Sequence, residues 1–300
     1  MALVSFATFV LSDPNNILDA NTAFVSLSLF NLLRVPLNVL PVLIVTMVQC
    51  EVSLKRINQF INADELSPNA VKHDPNYEDA VTIEKGTFSW DKETNEDEHQ
   101  ITLQDINLRV PEGSLVAVVG SVGSGKSSLV SAMLGEMETI SGMVNTKGKI
   151  AFVPQQAWLK NATLKDNILF GKRFKKDLYK KVLECCAMTT DLKVLPGGDE
   201  TEIGEKGINL SGGQKQRISL ARAVYNNCDL YLLDDPLSAV DSHVGKHIFE
   251  HVIGPEGLLK KKTRVLVTHG VGFLTQVDKI FVLKNGRISE DGTYEGRMTR

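Results

Sequence analysis

The chain has 300 residues, with 43% hydrophobic and 23% charged residues, and 33 Lys and Arg against 36 Asp and Glu give a net charge of −3. That length suggests about two domains; the balance excludes a disordered chain, and no global basic excess points to nucleic acid. Four cysteines (Cys50, Cys185, Cys186, Cys228) are too few and too irregularly spaced for a disulfide scaffold or a zinc site, and they fit a reducing compartment.

The charges are unevenly spread. Residues 1–50 carry only Asp13, Asp19 and Arg34, and the other 66 charges follow. Residues 22–48 hold a single charge, and 18 of these 27 residues are Ala, Val, Ile, Leu, Met or Phe. As a helix they would reach about 40 Å, enough to cross a ~30 Å hydrocarbon core with tilt. Pro36 and Pro41 would kink that helix, which membrane spans tolerate. Residues 1–12 are apolar without a basic leader or cleavage site, so they read as the tail of a preceding span rather than a signal peptide. Residues 13–21 are then a loop on the far side. Lys55 and Arg56 place everything after them in the cytosol. One and a half spans do not work alone, so the chain reads as part of a multi-pass membrane protein. Residues 1–58 are the remnant of its membrane domain and 59–80 a polar linker with Pro68 and Pro75.

Residues 81–295 read as one further domain. Strand-like runs at 81–90 and 101–110 flank an acidic stretch, 91–99, expected to be a solvated loop. Short apolar runs at 115–119, 150–153, 230–233 and 264–267 then alternate with helical stretches, the mark of an α/β domain with a mainly parallel sheet. Runs at 280–283 and 287–289 flank Asn285 and Gly286, a strong hairpin signal.

The run Gly120, Ser121, Val122, Gly123, Ser124, Gly125, Lys126, Ser127, with Ser128 behind it, fits the phosphate-loop pattern G-x-x-x-x-G-K-[ST]. It follows an apolar strand and opens a helical run, as the chemistry requires. The glycines let several amides face one anion at the positive end of a helix. Lys126 can reach the β- and γ-phosphates, and the Ser127 hydroxyl can ligate Mg2+. A second motif, the buried-strand run 230–233, ends in Asp234 and Asp235. A carboxylate at the carboxyl end of a parallel strand lies beside the phosphate loop, where Mg2+ needs an oxygen partner.

Leu210, Ser211, Gly212, Gly213 and Gln214 open another helical run, with Ser211 a natural N-cap and two glycines leaving amides open. One domain has no evident need for two γ-phosphate sites. With this motif the chain resembles an ABC-transporter nucleotide-binding domain. The resemblance implies a P-loop NTPase of ABC type: a RecA-like core, an antiparallel β subdomain and a helical subdomain carrying the signature. It further implies that the signature completes the ATP site of a second nucleotide-binding domain in a head-to-tail dimer, attached to transmembrane domains.

The remaining family motifs fall in order. Gln155 matches the Q-loop residue that touches Mg2+ and the attacking water. Ser238, Ala239, Val240 and Asp241 resemble the D-loop, His269 matches the switch histidine at the γ-phosphate, and Trp90 matches the aromatic that stacks on adenine. The segment 203–223, the Pro154-Gln155-Gln156-Ala157-Trp158 run and the run from Asp234 to Asp241 resemble the first such domain of the multidrug resistance-associated branch, subfamily C. The apolar start resembles the end of the membrane domain before it. A family domain would continue past Tyr294 with another helix, so 296–300 reads as a truncated or atypical tail.

Hydrolytic sites of the family carry Glu after the strand-end Asp. Here Asp235 stands there, one methylene short by about 1.5 Å, and a misplacement of that size can cost ~10²-fold. Asp is also what the first domain of this subfamily tends to carry. The resemblance therefore implies an ATP-driven exporter of organic anions and conjugates, in the plasma membrane, with a site that binds ATP well and hydrolyses it slowly. Rival readings are a soluble ABC ATPase, which the 22–48 span disfavours, a channel-regulating subfamily C member, and a truncated product without transport. Sequons at Asn161 and Asn209 fall in the cytosolic part and are not expected to be glycosylated. Cys185 and Cys186 are expected to be reduced core thiols.

Overall fold

The computed structural model describes residues 2–63, 65, 67, 69–90, 100–204 and 210–294. The acidic stretch 91–99, the residues 205–209 that lead into the signature (with Asn209 of the second sequon) and the tail 295–300 lie outside the described residues. The chain divides into two compact units, Met1–Glu65 and Leu66–Arg300.

The first unit is a helical hairpin, α1 (Ala2–Ser12) and α2 (Ala20–Ile61). Asp19 caps α2 by accepting from the Thr22 amide at 2.9 Å. Phe6 and Phe30 meet edge to face at 6.0 Å between centroids. α2 contains a window of mean hydropathy 1.8 with none of it buried, so it is long and apolar enough to cross a membrane. It passes through Pro36 and Pro41 and runs 13 residues beyond position 48, to Ile61. The polar stretch after the apolar one holds no proline or glycine before Asn62, so nothing in the sequence stops the helix sooner.

The second unit is built on a six-stranded sheet and a three-stranded one. The small sheet has the order β2–β1–β4, all antiparallel, from β1 (Val81–Ser89), β2 (Ile101–Val110) and β4 (Glu138–Thr146). Ser141, Gly142 and Asn145 break the apolar pattern of β4, which is why it has no clear signature in the sequence. Residues 69–80 pack on this sheet. Val71 is buried, Lys72 exchanges backbone bonds with Val144 and Thr146, and the Ala80 amide donates to Val110.

The large sheet has the order β11–β10–β3–β9–β8–β5. Its strands are β3 (Leu115–Val119), β5 (Ile150–Val153), β8 (Leu230–Asp234), β9 (Thr263–Val267), β10 (Lys279–Lys284) and β11 (Arg287–Gly292). All neighbours are parallel except β10 and β11, which turn through Asn285 and Gly286, both at positive φ (49° and 71°) as a two-residue hairpin needs.

Because side chains alternate along a strand, the sheet feeds two cores. Val116, Val118, Leu230, Leu232, Val265 and Val267 pack toward the small sheet and α3 (Lys126–Leu134). Leu115, Ala117, Tyr231, Leu233 and Leu266 pack toward the helices on the other face. Both faces are covered, so β3, β8 and β9 read as continuous apolar runs. Each fully buried Leu or Val contributes roughly 1.5–3 kcal/mol relative to exposure.

The helical part holds α4 (Leu164–Leu169), α5 (Lys176–Cys185), α6 (Thr189–Val194) and α7 (Gly212–Asn226), with a two-residue ribbon of β6 (Ala162–Thr163) and β7 (Glu202–Ile203). Buried Asn167 on α4 is bonded by the Arg222 guanidinium of α7 at its backbone and side-chain oxygens, which locks the two helices together. α8 (Ser242–Ile248) follows, with a π-helical turn at Phe249–Ile253. Cys186 is buried in the core, and burial pushes its thiol well above the ordinary range.

Candidate nucleotide-binding site

Strand order assembles the site. The carboxyl ends of β3, β9, β8 and β5 lie side by side in one parallel row. Four segments far apart in sequence therefore emerge on one edge: the phosphate loop after β3, His269 after β9, Asp234 and Asp235 at the end of β8, and Gln155 after β5. Ligands of open α/β sheets bind at this edge.

The loop 120–125 turns directly into α3, which opens with Lys126 and Ser127. Gly125 takes the N-cap at φ 101°, a left-handed conformation that a side chain would strain, and its added Cβ would stand 2.9 Å from Leu103. The cap makes no side-chain hydrogen bond, so the first amides of α3 face outward for an anion. Lys126 is buried, and its Nζ donates to the carbonyls of Gly120 at 3.1 Å and Ser121 at 2.8 Å. Burial holds its ammonium below the ordinary lysine range, against the opposing pull of Asp235 and Asp234. Ser124 is buried with its hydroxyl unpaired among the described residues, while exposed Val122 stands at the loop's tip.

Asp234 and Asp235 are both buried. Burial raises the Asp234 carboxyl above the ordinary range; a hydrogen bond from Ser127 opposes this, neighbouring Asp235 adds to it, and Lys126 and His269 pull it down. The pairing of a hydroxyl and a carboxylate supplies the hard oxygen donors that Mg2+ takes. Asp235 sits at φ 47°, its amide bonded to Val267, and its carbonyl accepts from the amide and hydroxyl of Ser238. Exposed His269 follows Thr268, whose hydroxyl accepts from the Gly270 amide. Gln155 is exposed in the loop after β5. Trp90 leaves β1 half-exposed, and its indole Nε1 donates to the Ser128 hydroxyl on α3 at 3.1 Å.

The signature occupies the start of α7. Ser211 accepts from the Gln214 amide, and Gln214 Oε1 accepts from the Ser211 amide, a complete capping box. The amides of Gly212 and Gly213, positions N1 and N2, remain open to an anion. Gly213 is required by close approach, since a Cβ there would lie 2.7 Å from the Ala239 carbonyl of the D-loop-like turn. Asp241 ends that turn by capping α8 through the Val244 amide. Leu210 is buried in the core.

Three residues beyond the motifs brace the signature helix from outside the nucleotide site. Buried Gln216 on α7 donates to the Pro154 carbonyl at 3.0 Å, and Asp191 on α6 binds both Gln214 and Arg217. No spacing rule marks them, because each contact is made between elements that only the fold brings together.

The family model for "ABC transporter" matches residues 103–238, which takes in the phosphate loop, Gln155, the signature and the paired aspartates but neither Trp90 nor His269. Across 100% of this chain, ATP-binding cassette sub-family C member 3 of Homo sapiens is 58% identical over 303 residues, and sub-family C member 2 of Homo sapiens is 56% identical over 300. Sub-family C member 3 of Rattus norvegicus is 59% identical over 297 residues, 98% of this chain. The chain spans 19% of the length of each of these curated relatives.

Proposed function

This chain belongs to the ABC transporter family, subfamily C, and from that premise we propose that its second unit is a cytosolic domain binding ATP and Mg2+ and powering export across a membrane. The single observation that carries the reading is the parallel row β3–β9–β8–β5, whose carboxyl ends bear the phosphate loop, His269, the paired aspartates and Gln155.

In this reading Trp90 stacks on the adenine, and the open amides of the loop and α3 hold the phosphates. Gly120, Ser121, Val122, Gly123, Ser124 and Gly125 form the cradle, and the Lys126 ammonium leaves its carbonyl partners to donate to the β- and γ-phosphates. Ser127, Asp234 and Gln155 would hold Mg2+, with Ser128 next in sequence, and the ion would supply positive charge against that of the phosphates. Asp235 orients the attacking water, and His269 contacts the γ-phosphate. Ser211, Gly212 and Gly213 serve the nucleotide of a second domain in a head-to-tail pair. Leu210 and Gln214 hold that signature in shape.

Asp235 is one methylene shorter than the glutamate that suits this role, so the site binds ATP well and turns it over slowly. The first unit, with α2, is the end of a transmembrane domain in the lipid bilayer. Beside the Q-loop, exposed Trp158 and Phe170 meet edge to face, and the Arg222 guanidinium lies 5.5 and 5.0 Å from their rings. That apolar groove suits docking to a membrane domain. The cargo is organic anions and conjugates, the class that the resemblance to the multidrug resistance-associated branch implies, at the plasma membrane.

The test is equilibrium binding of Mg·ATP to the full chain in detergent micelles. Lys126→Ala should weaken binding while circular dichroism stays unchanged; equal affinity for both proteins would overturn the site assignment. Vesicle uptake by the protein that contains this chain, with a conjugated organic anion as cargo, tests export. ATP-dependent current without uptake would replace the exporter with a channel-regulating member.

A further inference from the structure

Asp191 lies outside every motif, on the short helix α6, yet its two carboxylate oxygens both reach the signature helix α7. Oδ1 accepts from Gln214 Nε2 at 2.9 Å, and Oδ2 accepts from Arg217 Nη2 at 2.5 Å. The pair is well covered, with side-chain exposures of 11% for Arg217 and 19% for Asp191. Arg217 Nε is buried without a partner among the described residues, and the Nη2 bond to Asp191 holds the guanidinium.

The consequence falls on Gln214. A side-chain amide can be turned over with almost no change of shape, and only its hydrogen bonds decide which end is oxygen. In the capping box, Oε1 must face the Ser211 amide. A turned amide would set Nε2 against that N–H and Oε1 against the Asp191 carboxylate, two repulsive contacts in place of two bonds. Asp191 therefore selects the amide orientation that closes the box. A closed box fixes Ser211 and the direction of the open amides of Gly212 and Gly213.

We propose that Asp191 is a positioning residue for the signature: it locks Gln214 and Arg217 so that Ser211 and the two glycine amides are already aimed when a facing domain presents its nucleotide. This deepens the reading given above and rests on its claim that the signature serves a second domain. Among the described residues, Asp191 bonds to Gln214 and Arg217 and to no residue of the phosphate loop nor to Asp234 or Asp235. Its loss should therefore spare the chain's own ATP site.

The experiment uses the full chain in detergent micelles, Mg·ATP, and a separately purified second nucleotide-binding domain of the same subfamily. ATP affinity of the chain alone is read from tryptophan fluorescence, and ATP-driven association of the two proteins from energy transfer between attached dyes. Asp191→Ala should raise the ATP concentration needed for association about tenfold, the scale of one charge-assisted hydrogen bond, with own-site affinity unchanged within about twofold. Asp191→Asn keeps an acceptor for Gln214 and should fall between the two. In a Gln214→Ala background, Asp191→Ala should cost clearly less than alone, because the partner it orients is gone.

Additive losses would overturn the proposal, as would an Asp191→Ala protein that loses own-site affinity together with association. Gly212→Asp, at a position where a Cβ has room (nearest atom Ala239 Cβ at 3.9 Å), separates this proposal from the reading beneath it. If Gly212→Asp abolishes association and Asp191→Ala does not weaken it, the role of Asp191 falls and the signature reading stands. If Gly212→Asp associates like wild type, the signature reading falls first.

Discussion

The indole of Trp90 and the hydroxyl of Ser128 are joined by a 3.1 Å hydrogen bond, which ties the aromatic residue leaving β1 to the first turn of α3. The small antiparallel sheet and the phosphate-loop helix thus present their site residues as one fixed arrangement. If Trp90 stacks on adenine, Trp90→Ala should weaken Mg·ATP binding by about 1–2 kcal/mol, the worth of one lost ring stack. Trp90→Phe keeps a ring but loses the bond to Ser128, so it should lose less. Isothermal titration of the full chain checks both. A Trp90→Ala protein with wild-type affinity would remove this residue from the site.

Ionised Asp234 is a burden on the fold, and its substitution should show it. A carboxyl raised above its ordinary value of 3.8 binds a proton more readily in the folded chain than in the unfolded one. Its contribution to stability is full below that ordinary value and disappears as pH rises through the higher folded value. At neutral pH the buried carboxylate is therefore a cost. Asp234→Asn keeps an oxygen for Ser127, removes that cost and should raise the melting temperature of the nucleotide-free chain at pH 7. The gain should shrink toward pH 4, and Mg2+-dependent ATP binding should fall. A lower melting temperature at pH 7 would contradict this account of the site.

Asp235→Glu should affect turnover and stability in opposite directions. The longer carboxylate reaches the water, so phosphate release should rise once a second domain closes the site and change little in the chain alone. Asp235 sits at φ 47°, a region that Asp tolerates better than Glu, so the variant should lose about 0.5–1 kcal/mol of stability. Phosphate release at saturating ATP, with and without the partner, is the assay, together with urea unfolding. Slower hydrolysis by Asp235→Glu in the closed pair would defeat the idea that the short side chain limits the rate.

Gln216 links the signature helix to the Q-loop through Pro154, the residue before Gln155. Gln216→Leu leaves a carbonyl unpaired in a covered position and should destabilise the fold by about 1–3 kcal/mol. It also cuts the direct bond between the loop that carries Gln155 and the helix that carries the signature. ATP-driven association with a second domain should then need more ATP than stability loss alone explains. Ile218→Val and Ile218→Ala, in the core of the same helix, bracket that stability loss and calibrate the comparison. Association by Gln216→Leu equal to that interpolated between the two controls at its measured stability would reduce Gln216 to a packing role.

The sequence alone determined what local chemistry fixes. The apolar span in α2, the phosphate loop between a strand and a helix, the capped signature at Ser211 and the turn at Asn285 and Gly286 each depend on residues within a few positions of one another. Such patterns are legible because backbone conformation, capping and burial on both sheet faces leave residue-type signals at fixed spacing. Tertiary structure alone decided the rest. β4 has too broken a pattern to show, and residues 69–80 look like a polar connector until Val71 and Lys72 find partners on the small sheet. The strand order that sets His269 and Gln155 in one row with Asp234 is a property of pairing, in which any parallel strand could in principle sit beside any other. The Asp191 clamp is further from view still, because a carboxylate on a short polar helix reads as a solvated surface charge. It takes its meaning only from Gln214 and Arg217, 23 and 26 residues away, which packing alone brings within hydrogen-bond reach.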